Sequence, residues 1–73
     1  MSDSVYRVTE IVGSSGASVT EAINGALERA NKTLRNMDWF EVTQIRGSIG
    51  PDAHPSYQVA MKVGFRLEEP PEH

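Results

Sequence analysis

The stretch from residue 57 to residue 67 alternates apolar with polar or small side chains without interruption. A period of two is that of a β-strand with one buried face. The apolar side chains are Tyr57, Val59, Met61, Val63, Phe65 and Leu67. The polar or small ones between them are Gln58, Ala60, Lys62, Gly64 and Arg66. A strand is therefore predicted over residues 56–68, and another element of the chain must cover its apolar face.

One amphipathic helix is predicted to supply that cover. Ser18 followed by Glu21 forms a capping box, which marks a helix start. Apolar residues then recur at helical spacing on one face, over about residues 18–36. They are Val19, Ile23, Ala26, Leu27, Ala30, Leu34 and Met37.

Two further strands complete the predicted fold. Residues 4–12 are rich in β-branched side chains and lead to Gly13, and residues 38–49 are joined to the last strand by the loop GPDAHP, residues 50–55. The order is β-α-β-β, an α+β fold in which a right-handed crossover places the third strand between the other two. We expect a three-stranded antiparallel sheet on one helix, with neighbouring subunits covering the bare sheet face.

The length and composition exclude several classes of protein. A chain of 73 residues without cysteine has neither disulfides nor a zinc site of cysteine ligands, and we expect no metal. Residues 1–68 are predicted to form one domain and residues 69–73 a flexible tail. The net charge of −3 argues against a nucleic-acid partner. The sequence has no membrane-spanning run and no signal-peptide pattern at its start, so a cytoplasmic location is expected.

The parity of the second strand predicts a β-bulge. Phe40 and Val42 share one parity, whereas Ile45 and Ile49 have the other, so all four point inward only with an extra residue near Thr43 and Gln44. The outer face then carries Trp39, Glu41, Gln44, Arg46 and Ser48, alongside Gln58 of the last strand. An outward-facing tryptophan is unfavourable unless a subunit or a flat ligand stacks on it.

Four segments, DWFEV, IRG, YQV and GFRLE, occur at separations that resemble those of the dodecins. Dodecins are small flavin-binding proteins that assemble as hollow twelve-subunit shells, and the resemblance extends over nearly the whole chain. It implies that Trp39 stacks on the isoalloxazine ring of a flavin, which is FMN, riboflavin or FAD. It also implies that Gln58 hydrogen-bonds the polar edge of the ring and that Arg46 lies beside it.

The resemblance implies a storage function rather than catalysis, because stacked tryptophan quenches and shields the flavin. Some bacterial dodecins also bind coenzyme A near threefold contacts, through basic residues that match Arg29, Arg35 and Arg66. A solvated helix face is the alternative explanation for the basic residues of the helix. Along an extended strand Trp39 and Arg46 are far apart, so we expect each flavin pocket to form where two subunits meet about a twofold axis.

Other interpretations of these residues stay open. The bare sheet face could instead bind a protein partner, with Trp39 as its hot spot, in a structural or interaction module. The sequence shows no catalytic arrangement, because His54 and His73 lack partners at the spacing of a triad or a metal site. His54 is interpreted as a loop residue.

Overall fold

The computed structural model describes residues 4–67. Its elements are strand β1 (Tyr6–Ser15), helix α1 (Val19–Ala30), strand β2 (Met37–Ile49) and strand β3 (Pro55–Arg66). The three strands form one antiparallel sheet in the order β1-β3-β2. The predicted β-α-β-β order and the central place of the last strand are confirmed. The predicted tail at residues 69–73, residue 68 of the predicted strand, and residues 1–3 and 68 of the predicted domain lie outside the described residues.

The core lies between β3 and α1. Val59, Met61 and Val63 of β3 and Ala22 of α1 are buried, as the alternation over residues 57–67 predicts for the strand. Partly buried apolar side chains surround these four residues, namely Ile11, Val19, Ile23, Ala26, Leu27, Met37 and Val42. Helix α1 packs mainly on β1 and β3, so β2 has little cover of its own.

Helix α1 ends earlier than predicted, at Ala30 rather than near residue 36. The backbone N–H of Thr33 and that of Leu34 both donate to the carbonyl of Ala30, which closes the helix in a turn. Asn36 then takes a left-handed conformation with φ of 62°, which an α-helix cannot include. Leu34 and Met37 therefore lie outside the helix, although both are half-buried.

The first strand was predicted to end at Gly13, but β1 continues to Ser15. Gly13 is buried and pairs with Val59 of β3. A Cβ atom at this position would overlap the backbone carbonyl oxygen of Ala22 and the side chain of Ala26. Glycine is therefore required here because the helix backbone lies directly against the strand.

The predicted helix start is confirmed, with one change in its hydrogen bonds. Ser18 is the N-cap residue, and its hydroxyl accepts a hydrogen bond of 3.0 Å from the backbone N–H of Glu21. The backbone N–H of Ser18 donates to the Ser15 hydroxyl at 3.3 Å, and that hydroxyl donates to the Glu21 carboxylate at 3.4 Å. Ser15 thus bridges the two residues of the capping box and links the end of β1 to the start of α1.

Large apolar side chains are exposed on both faces of the sheet. Phe40, Ile45 and Ile49 share the helix-facing side of the sheet as predicted, yet they are 45%, 56% and 81% exposed. The opposite side, which we call the outer face, exposes Val8 and Val12 of β1. These three β2 residues are exposed within one chain because α1 does not extend over β2.

The only helix among residues 4–67 has 12 residues, and it is neither long nor apolar enough to cross a membrane.

Candidate functional site

The predicted bulge in β2 is present and orients the candidate site. The pairing of β2 with β3 shifts between Val42 and Gln44, which leaves Thr43 without a partner residue on β3. The Thr43 hydroxyl donates to the Ala60 carbonyl at 3.2 Å. Because paired residues share a face, the outer face carries Trp39 and Glu41 before the bulge and, after it, Gln44, Arg46 and Ser48 with Gln58 of β3.

A second bulge, which sequence reasoning missed, lies at Asp38. The pairing shifts between Met37, which lies opposite Phe65, and Trp39, which lies opposite Gly64. Met37 and Trp39 have the same parity, so an apolar Met37 turned toward the helix and an outward Trp39 require an extra residue between them. That parity was a usable signal, but Met37 also fits the apolar face of the predicted helix, which hid it.

Trp39 lies on the outer face, on the side of the sheet opposite its own helix, and is 40% exposed. Its indole covers Gly64, where an added Cβ would overlap three atoms of the ring. The ring of Tyr6 stands beside it, with the two ring centroids 6.5 Å apart and the planes inclined by 59°. One side of the indole is therefore supported by the sheet, and enough of the ring is exposed to receive a flat molecule.

Gly64→Ala tests whether the indole needs bare backbone beneath it. The added methyl group has to displace a bulky ring, so we expect Trp39 to move off the sheet and its emission spectrum to shift to longer wavelength. Ala60, two pairs away on the same face, offers a matched control as Ala60→Gly, which leaves Trp39 in place. Identical tryptophan emission in Gly64→Ala and the unmodified protein would contradict this packing.

Tyr6 is tied to the second bulge. Its hydroxyl donates a hydrogen bond of 2.9 Å to the carboxylate of Asp38. This hydrogen bond stabilises the protonated phenol and raises the pKa of Tyr6 above its ordinary value of 10.0, whereas the positive charge of Arg66 acts to lower it. Arg66 pairs with Tyr6 across the strands, so Tyr6, Arg66 and Trp39 occupy one end of the outer face.

The raised pKa of Tyr6 predicts a dependence of stability on alkaline pH. The folded state favours the protonated phenol, so this stabilisation is complete below pH 10.0 and is lost as the pH rises through the higher pKa of the folded protein. Asp38→Asn removes the charged acceptor and should move the tyrosinate absorbance titration toward lower pH. Superimposable titration curves for the variant and the unmodified protein would show that Asp38 does not control the ionisation of Tyr6.

Arg46 and Gln58 form a polar pair farther along the outer face. They lie opposite each other on β2 and β3, and the Arg46 Nε donates to the Gln58 Oε1 at 3.0 Å. The structure thus brings together two of the three predicted flavin residues. Trp39 pairs with Gly64, six residues from Gln58 on β3, which is about 20 Å at 3.3 Å per residue. Trp39 therefore does not lie beside the polar pair of its own chain.

The three arginines expected at a second ligand site do not form one cluster. Arg35 and Arg66 line an open groove of about 330 Å³. Arg29 instead lines a neighbouring groove of about 690 Å³ between β1 and α1. Arg7, which sequence reasoning missed, also lines this groove. Arg7 pairs with Phe65 on the helix-facing side of the sheet, where the groove lies, whereas Arg66 pairs with Tyr6 on the outer face.

Residues 4–67 contain no group of three histidine, aspartate or glutamate side chains that could hold a metal ion. His54 lies in the loop between β2 and β3, where its carbonyl accepts a hydrogen bond of 3.0 Å from the backbone N–H of Gly50. The imidazole is exposed, and the hydrogen bond of His54 is made by its backbone.

The fold and the outer face define a class of small α+β proteins in which one helix covers part of a three-stranded sheet and an exposed indole stands on the other side. The family model described as Dodecin matches residues 5–68. The chain belongs to the dodecin family, and the resemblance noted in the sequence is confirmed.

Individual relatives agree with this assignment. The chain is 55% identical over 65 residues to the dodecin of Thermus thermophilus, covering 89% of this chain and 94% of that protein. The solved dodecin of Streptomyces coelicolor is 53% identical, with a TM-score of 0.86, covering 96% of this chain and 100% of that one. The dodecin of Streptomyces davaonensis is 50% identical, with a TM-score of 0.87, covering 93% and 100%.

Proposed function

We propose that this protein binds flavins and stores them in a quenched, protected form, with Trp39 as the stacking surface. The observation that carries the proposal is the half-exposed indole held over Gly64 on the outer face. The isoalloxazine ring is flat and electron-poor, so the electron-rich indole is a suitable partner for it. FMN, riboflavin and FAD share this ring, and the proposal covers all three.

Arg46 and Gln58 have the chemistry to bind the polar edge of the ring. That edge carries both donors and acceptors, and a primary amide provides a carbonyl oxygen and an NH₂ group. Gln58 already accepts a hydrogen bond from Arg46, which orients the amide so that its NH₂ group stays available. Both side chains are exposed, so a ligand can reach them.

The pocket is composite, with residues contributed by two subunits. Within one chain the indole and the Arg46–Gln58 pair are separated by about 20 Å along β3, farther than a single tricyclic ring extends. Two outer faces placed antiparallel about a twofold axis bring Trp39 of one subunit to the polar pair of the other. The exposed apolar side chains of both sheet faces favour such an assembly, for which we propose the hollow dodecamer.

Stacking on Trp39 favours storage over turnover. An indole in contact with a flavin quenches its excited state by electron transfer and covers one side of the ring. We accordingly propose that the protein is not an enzyme, and we place it in the cytoplasm, as the sequence suggests. We further propose that coenzyme A, as the second ligand, binds through its phosphates at the groove that Arg35 and Arg66 line, while Arg29 lies in the adjoining groove.

Fluorescence titration of the assembled protein with riboflavin, FMN and FAD, beside native mass spectrometry, tests the proposed function. We expect saturable loss of flavin fluorescence and a mass of twelve chains. If the protein quenched the fluorescence of none of the three flavins, the proposal would be overturned and an interaction module whose outer face binds a protein would be favoured. A monomeric variant that kept full flavin affinity would refute the composite pocket.

A further inference from the structure

Tyr6 and Asp38 connect the two edge strands of the sheet at the end where Trp39 lies. Tyr6 belongs to β1 and Asp38 to β2, and β3 runs between them. Neighbouring strands lie about 4.8 Å apart, so the two backbones are separated by about twice that distance. The side chain of Tyr6 reaches across the outer face to make its 2.9 Å hydrogen bond, at a sequence separation of 32 residues.

The acceptor of this hydrogen bond, Asp38, is the residue whose bulge sets the orientation of the Trp39 indole. Asp38 is the bulged residue immediately before Trp39, and the bulge turns Trp39 to the outer face. The phenol ring that reaches Asp38 stands beside the indole, with 6.5 Å between the ring centroids. Gly64 lies beneath the indole. The indole is thus bounded below by backbone and on one side by Tyr6.

We propose that Tyr6 is a positioning residue for the ligand site, which holds the Asp38 bulge in place and restricts the indole of Trp39 to a single orientation over Gly64. The consequence for ligand binding rests on the function proposed above. A surface indole that already has its bound orientation loses less conformational freedom when a ligand stacks on it, and affinity increases accordingly.

The position of Trp39 explains why such a restraint is needed. Trp39 lies near the start of β2, three residues after the left-handed Asn36 and two after Met37, the first residue of the strand. The neighbouring backbone is held by the hydrogen bond from the Arg66 N–H to the Asn36 carbonyl, at 3.0 Å. Strand ends open more readily than strand centres, so a side-chain link between β1 and β2 stabilises this end of the sheet.

The experiment uses Trp39 as its own probe, because it is the single tryptophan of the chain. Tyr6→Phe keeps the ring and removes the hydroxyl that bonds to Asp38. In the ligand-free assembled protein, we expect the fast component of the time-resolved anisotropy of Trp39 to increase. We also expect flavin affinity to fall by about three- to tenfold, the effect of losing one modest hydrogen bond.

Tyr57→Phe is the matched control, since it makes the same chemical change on the opposite, helix-facing side of the sheet. It should leave both the anisotropy of Trp39 and the flavin affinity unaltered. Asp38→Ala should reproduce the effect of Tyr6→Phe, and the double variant should be no worse than either single one, because both changes break the same hydrogen bond. Circular dichroism confirms that each variant is folded.

The two measurements separate the inference from the function on which it rests. Unchanged anisotropy in both Tyr6→Phe and Asp38→Ala would overturn the positioning role, whatever happens to flavin affinity. Lower affinity with unchanged anisotropy would mean that Tyr6 contacts the flavin directly. If the unmodified protein quenches no flavin while Tyr6→Phe still frees the indole, the proposed function fails and the positioning of Trp39 by Tyr6 stands.

Discussion

Trp39→Ala is expected to reduce flavin affinity by about 100-fold and to abolish the quenching of flavin fluorescence. Replacing an aromatic platform under a flat heterocycle by alanine costs about 1–3 kcal/mol, and 1.4 kcal/mol corresponds to tenfold in affinity. The upper part of that range applies here, because the indole is the large apolar surface at this end of the outer face and lies against backbone that cannot replace it.

The measurement is a fluorescence titration of each flavin with the variant and the unmodified protein under identical conditions. Trp39→Phe serves as the control, since it retains an aromatic ring over Gly64 and should keep a measurable part of the affinity. It should quench less than the indole does, because phenylalanine is a poorer electron donor. Full quenching by Trp39→Ala would show that the flavin binds elsewhere.

The second large effect is expected on stability, for Gly13→Ala. The added methyl group would overlap the carbonyl oxygen of Ala22, which belongs to the backbone of α1 and cannot rotate away. The helix has to shift off β1, which opens the core at Ala22, and overpacking of this kind destabilises by about 1–3 kcal/mol. Chemical denaturation followed by circular dichroism measures the loss.

Gly25→Ala provides the matched control, because nothing lies within 4 Å of a Cβ atom built at that helical position. Alanine has a higher helix propensity than glycine, so this variant should be more stable by about 0.5–1 kcal/mol. Both variants are compared at one protein concentration, since assembly makes apparent stability depend on concentration. Equal stability of Gly13→Ala and the unmodified protein would contradict the close approach of helix and strand.

Patterns between near neighbours in the chain were sufficient for much of the fold. The unbroken alternation over residues 57–67 identified the central strand and three of its buried residues, Val59, Met61 and Val63. The change of parity between Val42 and Ile45 located the bulge at Thr43 and hence the outer face. These inferences succeeded because a strand has a strict period of two, so a burial pattern along it determines which face each side chain occupies.

The ends of elements were less predictable. The apolar pattern continued past Ala30 to Leu34 and Met37, but the left-handed Asn36 directs the chain into β2, and Met37 packs against the core from outside the helix. Gly13 looked like the end of a strand, although it is the point where α1 touches β1. In both cases a contact with another element, and not local propensity, decided the structure.

By itself the sequence determined the order of the elements, the central strand, and the place of Trp39, Arg46 and Gln58 on the outer face. Only the tertiary structure decided that Gly64 lies under the indole, that Tyr6 reaches Asp38 across β3, and that Arg7 lines the same groove as Arg35. The physical reason is distance along the chain. Periodicity reports on the face that a residue occupies, whereas contacts between residues about 30 positions apart depend on strand register and on the bulges that shift it.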